Sequence, residues 1–184
     1  DTEAARKRAD VIGAKVIGTA TAPITTASDA QDSSFGSSVR NRESAMSNMV
    51  AQMFKDTLGK DDPNFIGIQN PGGTRASLQS GEITYKDAAL VLPFANSLMT
   101  TTVTGEQFKQ VLEEQWQHDE KGQVPSRPFL SLGLSNNVSY TYDENLPEGQ
   151  RITSVWVNGK PIDPKASYTV GSGSFLINGG DNFH

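Results

Sequence analysis

The sequence contains no cysteine and only two histidines, one of which, His184, is its last residue. Without cysteine there is no disulfide framework, zinc finger, thiol nucleophile or iron–sulfur ligation. Two histidines cannot furnish a His-rich metal centre. Basic charge is short as well: 16 Lys and Arg stand against 21 Asp and Glu, for a net charge of −5 and a pI near 5.0. A binder of nucleic-acid polymers normally carries a basic face, so this balance argues against one. No run of about 18 apolar residues occurs, so no segment reads as a membrane-spanning helix. No signal-peptide pattern is visible either. What is present is 184 residues, 35% of them hydrophobic. That is the size of one domain, and such a chain buries roughly 70% of its unfolded surface without help from a metal or crosslink. The sequence opens at Asp1 without Met and stops inside the Gly-rich turn Gly179-Gly180-Asp181-Asn182-Phe183-His184. The expectation is a fragment of a longer protein.

Hydrophobic spacing outlines the elements. Residues 3–17 place Ala5, Ala9, Ile12 and Val16 at helical intervals, with Arg6, Lys7 and Arg8 opposite, a cluster that ordinarily lies in solvent. Gly13 weakens this helix, and a strand over 16–21 follows. Residues 25–38 are rich in Ser, Thr, Asp and Gly and read as a loop. Met46, Met49, Val50, Met53, Phe54 and Leu58 then form one apolar stripe, which predicts the clearest helix and a packing role for its methionines. A buried strand over 65–69 leads into the tight turn Asn70-Pro71-Gly72-Gly73-Thr74-Arg75. Thr84 with Asp87 and Thr104 with Gln107 have the spacing of capping boxes. The first predicts one helical turn, the second a helix bearing Phe108, Val111, Leu112 and Trp116. Residues 89–92 read as a buried strand halted by Pro93, and 97–103 as another strand. Period-two patterning predicts strands over 129–134, 138–142 and 152–157, a hairpin at Asn158-Gly159, and a last strand from Tyr168. Interleaved helices and strands predict an α+β fold with a mixed sheet and helices packed on it.

Several pieces carry chemistry. Arg40-Asn41-Arg42-Glu43-Ser44 precedes the clearest helix. A helix N-terminus already favours anions through its free N–H groups and macrodipole, so cations gathered there point to a bound anion. The alternative is pairing of Arg42 with Glu43 or another surface acid. In the 70–75 turn, two glycines let backbone approach a ligand, and Arg75 can hold an anion through two parallel hydrogen bonds. The same residues also suit an ordinary structural turn. No Gly-Lys-Ser/Thr follows, so this is not a P-loop. Pro93-Phe94-Ala95-Asn96 sits where an expected strand ends; its ring can stack on a planar heterocycle while the amide reads an edge. Phe175, near Gly179-Gly180-Asp181, has the same look. Core packing for each Phe and turn formation by Asp181 are the alternatives. Hydrolytic catalysis finds no support: no Gly-x-Ser-x-Gly elbow is present, His118 lies at the polar, solvated end of a helix, and the carboxylates form no paired signature.

In their order and spacing, Arg40-x-Arg42-Glu43, Asn70-Pro71-Gly72-Gly73-Thr74-Arg75, Ser80-Gly81-Glu82-Ile83-Thr84, Leu92-Pro93-Phe94-Ala95-Asn96, Thr104-Gly105 and Asn178-Gly179-Gly180-Asp181 resemble the C-terminal domain of the 5'-nucleotidase family. That family includes bifunctional UDP-sugar hydrolases and cyclic-nucleotide phosphodiesterases. The resemblance implies a four-layer α/β/β/α domain of mixed sheets flanked by helices over 16–184, with 1–15 a linker helix from an upstream domain. It implies substrate-binding roles: Arg40 and Arg75 on phosphates, Phe94 and Phe175 around the base, Asn96 and Asn70 on base or ribose, and Asp181 on ribose hydroxyls. It implies no catalytic residue or metal ligand in this chain. Divalent metal ions would belong to an N-terminal metallophosphoesterase domain acting in cis, and the chain alone would bind a nucleotide or nucleoside without turning it over. It also implies a bacterial hydrolase of nucleotide catabolism, secreted, periplasmic or at the cell surface. Pro71, Thr74 and Ala95 depart from residues common in relatives, and Gly36 stands where some carry a further phosphate-binding Arg. Those departures leave open a non-catalytic surface module that keeps the fold without the ligand, and a sensor for another phosphorylated small molecule.

Overall fold

The computed structural model describes residues 2–27 and 39–184. Most of the loop expected at 25–38, Gly36 included, lies outside the described residues. Helix α1 (Thr2–Gly13) precedes strand β1 (Val16–Ala20). The apolar stripe expected along α1 does not pack, because Val11, Ile12 and Val16 are exposed. Its basic residues are solvated as expected, with Lys7 pairing with Glu3 one turn away at 3.2 Å.

Helix α2 (Ala45–Leu58) is capped by Ser44, whose side chain accepts from the Ser47 N–H at 3.1 Å. It buries Met46, Ser47, Val50, Ala51 and Phe54 and leaves Met49 and Met53 exposed, a narrower face than the methionine spacing predicts. This face lies on β2 (Ile66–Gln69) and β5 (Gly133–Leu134). Helix and sheet backbones touch there: a Cβ at Gly67 would fall 1.9 Å from the Ala51 carbonyl oxygen.

With β4 (Leu98–Thr104) and β9 (Ser167–Gly173), these strands form a mixed sheet in the order β4-β9-β2-β5. The β2–β9 pair is parallel and the others antiparallel. An antiparallel meander, β6 (Val138–Tyr142), β7 (Ile152–Val157) and β8 (Lys160–Pro161), turns through Asn158-Gly159 with both residues left-handed, φ 51° and 72°. That is the hairpin the sequence predicts. β1 pairs with β3 (Gly81–Thr84). Helix α4 (Gly105–Glu113) opens on the Thr104/Gln107 capping box and buries Phe108 and Leu112 between the sheets, against Ile66, Ile68, Ile152 and Val155. A smaller core joins Met46, Val50 and Phe54 to Ala76, Leu78 and Val91. The α+β class is the one expected.

Two expected strands are something else. Residues 89–92 fall largely within helix α3 (Tyr85–Val91), which continues from the Thr84/Asp87 capping box. A four-residue apolar run carries no period to separate helix from strand, and its one alanine and two leucines to one valine favour helix. Only Val91 of α3 is buried. In the 129–134 segment, ladder pairing is confined to Gly133 and Leu134. Upstream, the N–H groups of Leu130 and Leu132 bond to the backbone and side-chain oxygens of Gln115, at 2.8 and 2.9 Å, and that of Ser131 to the Arg40 carbonyl at 2.8 Å. Residues 130–133 are buried in succession on this irregular strip, without the alternation the sequence pattern suggests. His118 also departs from a solvated position, lying 3.3 Å from a Glu148 carboxylate oxygen and only partly exposed.

Candidate functional site

The β4–β9 pairing brings two loop ends together. β4 begins at Leu98 opposite Gly173, the last residue of β9, so 94–96 and the short helix α5 (Ser174–Ile177) meet at one sheet end. The Ser174 N–H donates to the Ser97 carbonyl at 2.8 Å, and the Ser174 hydroxyl to the Asn96 side-chain oxygen at 3.4 Å. Phe94 and Phe175 project from these ends and are 59% and 47% exposed. Neither is a core residue. The Phe175 ring lies on Gly180, where a Cβ would fall 2.5 Å from a ring carbon.

Both rings line a cavity of about 270 Å³, shared with Arg40, Asn70, Gly72, Gly73, Asn96 and Asp181. Six of the seven residues singled out in the sequence thus border one space, although they span positions 40 to 181. The volume is just under the range of about 300–1,000 Å³ usual for a pocket enclosing a drug-sized ligand. Arg75 is not on the wall. It stands behind Gly72, its guanidinium 3.5 Å from the Gly72 carbonyl oxygen, and its own N–H bonds to Val91. A larger groove of about 730 Å³ runs along α2 and β6, bordered by Asn48, Gln52, Tyr140 and Tyr142; it contains none of the singled-out residues.

The polar wall is internally organised. Asn70, buried at the end of β2, donates its side-chain N–H to the Asp181 carboxylate at 2.7 Å. Asp181 and Asn182 both hold left-handed backbone, φ 55° and 58°. The Asn182 amide donates to the Gln117 side-chain oxygen at 2.9 Å, and Gln117 is itself buried. The Arg40 guanidinium rests against Gly72, where a Cβ would come within 2.7 Å of a terminal nitrogen. Its Nε is buried with no hydrogen-bond partner. Burial and then the Arg127 cation lower the Arg40 pKa, with a smaller push from Arg75, while Asp181 opposes them. Arginine stays charged through such shifts, so the wall is cationic at Arg40. Gln117 and Arg127 carry no motif in the sequence; a lone Arg between two prolines and a helix-end Gln give no signal of where they fold. Among the described residues no group of three or more His, Asp or Glu side chains is arranged to hold a metal ion.

The family model for the 5'-nucleotidase C-terminal domain matches residues 16–184. The chain belongs to the 5'-nucleotidase C-terminal domain family. It is 34% identical over 122 residues to a probable 5'-nucleotidase of Treponema pallidum, covering 63% of this chain and 20% of that one. It is 34% identical over 125 residues to the NAD 5'-nucleotidase of Haemophilus influenzae, with 64% and 20% covered. The crystal structure of a 5'-nucleotidase precursor from Thermus thermophilus superposes with a TM-score of 0.77 at 27% identity, over 99% of this chain and 34% of that one. The matched stretch is therefore about a fifth of the length of these curated relatives.

Within this 5'-nucleotidase C-terminal domain the departures have local explanations. Pro71 is the first residue of a short 3-10 turn (Pro71–Gly73), where a missing N–H costs nothing. Thr74 is fully buried, but its hydroxyl bonds to Ser47 at 3.2 Å and Gln69 at 3.3 Å, so its polar atom is not orphaned. Ala95 holds φ 51°, a left-handed conformation that glycine adopts more readily.

Proposed function

We propose that this chain is the nucleotide-binding domain of a 5'-nucleotidase-type hydrolase, which removes phosphate from nucleotides or nucleotide sugars. The reading is carried by Phe94 and Phe175, two exposed rings on one small cavity whose remaining wall is arginine, amide and carboxylate. Exposed aromatics gathered in this way lose water when a flat base enters between them. Each base–ring stack contributes about 1–3 kcal/mol and tolerates different bases. Arg40, with Arg75 behind it, holds a phosphate through charged hydrogen bonds of about 1.5–3 kcal/mol each. Asp181, held by Asn70, accepts from ribose hydroxyls, and Asn96 bonds to the base edge.

In this reading residues 16–184 are the binding domain and 1–15 a linker helix from a metallophosphoesterase domain acting in cis. Divalent metal ions held by that other domain would supply the activated water. This chain's own residues bind and orient. The short share of its relatives' length that the chain matches supports this division. The same reading places the parent protein in the periplasm, at the surface or outside a bacterial cell.

Titration of the purified chain with adenosine and AMP tests the proposal, with saturable binding expected and no phosphate release in Mg²⁺, Mn²⁺ or Zn²⁺. Metal-dependent release by these 184 residues would overturn the division of labour. Flat titrations with every nucleoside and nucleotide would favour the non-catalytic surface module.

A further inference from the structure

The mixed sheet treats its two edges differently. Near β5, helix α2 supplies acceptors: the Leu134 N–H donates to the Asn48 side-chain oxygen at 3.1 Å and the Asn136 N–H to that of Gln52 at 2.9 Å. The β4 edge has no such cover. At one end of the β4–β9 ladder the Ser174 N–H donates to the Ser97 carbonyl at 2.8 Å. At the other, the Gly105 N–H donates to the Ala166 carbonyl at 3.1 Å. Antiparallel bonding alternates along a strand, so the odd-numbered residues between these ends turn their N–H and C=O groups to β9. Leu98, Thr100 and Thr102 turn theirs outward. Thr104 is next in line, but its N–H is taken by the Gln107 side chain at 2.8 Å. Among the described residues no hydrogen bond reaches the outward groups of 98, 100 and 102. Neither face is covered here: Leu98 and Met99 point to opposite faces and are 46% and 37% exposed, and residues 100–102 are exposed as well. An open edge is ordinarily blunted by a charge, a proline or a bulge. Residues 97–104 contain none of these.

We infer that the β4 edge is an interaction surface for a second copy of this chain, paired antiparallel about a two-fold axis at Thr100. The spacing of the free groups selects this occupant. With Thr100 opposite its own copy, Leu98 falls opposite Thr102 and Thr102 opposite Leu98, and each pair exchanges both of its hydrogen bonds. A register centred on Thr101 sets Leu98 against Thr104, whose N–H is already engaged. The side chains suit the register centred on Thr100. Leu98 meets Thr102 on one face and Met99 meets Thr101 on the other, so no charge is desolvated and no like charges are opposed. A charged partner strand finds no counter-charge along 97–104. The four-stranded sheet becomes continuous across the two copies. Pairing through one strand buries less than a standard stable interface, so the dimer is weak and reversible, with a dissociation constant in the micromolar range.

The test is sedimentation velocity of the purified chain over a range of about 1–500 µM. The apparent mass should rise with concentration from 19.8 kDa toward twice that value. T100K and T100E each set like charges face to face across the axis and should stay monomeric throughout. An equimolar mixture of the two should dimerise again, because lysine then faces glutamate. That recovery also requires both variants to be folded, which separates loss of pairing from loss of structure. A parent chain that is monomeric at the highest concentration overturns the inference and leaves the edge to another partner. Dimerisation that persists in T100K and T100E overturns it as well, since the contact then lies elsewhere. A mixture that stays monomeric overturns the register about Thr100. The nucleotide reading stands or falls separately, since none of these measurements involves a ligand.

Discussion

The side-chain amide of Asn70 donates to the carboxylate of Asp181 at 2.7 Å, across 111 residues of sequence. Asn70 is held rigidly, 6% exposed, where β2 meets the 3-10 turn. Asp181 belongs to a loop in which two consecutive non-glycine residues are left-handed, a conformation that needs outside support. The bond fixes the carboxylate on the cavity wall. Asn70→Ala is expected to lower stability by about 1–3 kcal/mol, since it removes a buried donor and leaves a charged acceptor unsatisfied. Adenosine affinity should fall with it, about tenfold. Urea denaturation and calorimetry read the two effects separately; unchanged adenosine affinity would show that Asp181 does not need Asn70 to face the ligand.

Phe94→Ala and Phe175→Ala should separate binding from folding. Both rings are about half exposed, so truncation of Phe94 is expected to change stability by no more than about 0.5 kcal/mol. Phe175 also covers Gly180 and should lose slightly more. Adenosine binding, in contrast, should weaken about 5- to 150-fold for each, the equivalent of about 1–3 kcal/mol of stacking. Loss of folding in both, with unaltered nucleoside titrations, would assign the rings to packing.

Ala95→Gly should stabilise the protein. An L-residue at φ 51° costs about 1–2 kcal/mol, while glycine adds about 0.5–1 kcal/mol of chain entropy to be lost on folding. The net gain of about 0.5–1 kcal/mol raises the thermal midpoint by about 2 °C in a chain of this size. A lower midpoint would mean that the Ala95 methyl makes contacts worth more than the strain.

The cavity is legible in the sequence to the extent that its residues sit in short punctuated motifs. Pro93 ends α3 just before Phe94, two glycines open the turn after Asn70, and Gly179-Gly180 frame Asp181, so composition marks each loop. What assembles them is long-range: the Leu98–Gly173 pairing that sets Phe94 beside Phe175, and the Asn70–Asp181 bond. No local pattern encodes either contact, and only the family resemblance joins those segments in advance. Arg127 and Gln117 stay hidden for the same reason, since their place depends on the 128–131 strip folding against Arg40. The fold is read best where periodicity is long, as in α2, or where caps are explicit, as at Thr104. It is misread at 89–92, where four apolar residues carry no period to separate strand from helix, and at 129–134, where residues 130–133 are buried in succession and ladder pairing is confined to Gly133 and Leu134.

Glu114 gives a pH-dependent expectation at the far end of α4. Its carboxylate accepts the His184 N–H at 2.9 Å. Burial raises its pKa above the ordinary 4.5, outweighing that hydrogen bond and the His184 charge, which both lower it. The folded protein therefore holds this proton more tightly than the unfolded chain does. Its contribution is fully present below about pH 4.5 and is lost as pH rises through the folded value. Glu114→Gln keeps an oxygen for the His184 N–H but has no proton to lose. Asp87, whose pKa is lowered chiefly by the Thr84 side-chain hydrogen bond, titrates identically in both proteins and drops out of the comparison. Urea midpoints measured from pH 4 to pH 7 should show the variant gaining on the parent as pH rises from about 4.5, then holding a constant lead once Glu114 is ionised in both states. Parallel midpoints across that range would mean that Glu114 is solvated well enough to ionise in the folded protein at its ordinary pKa.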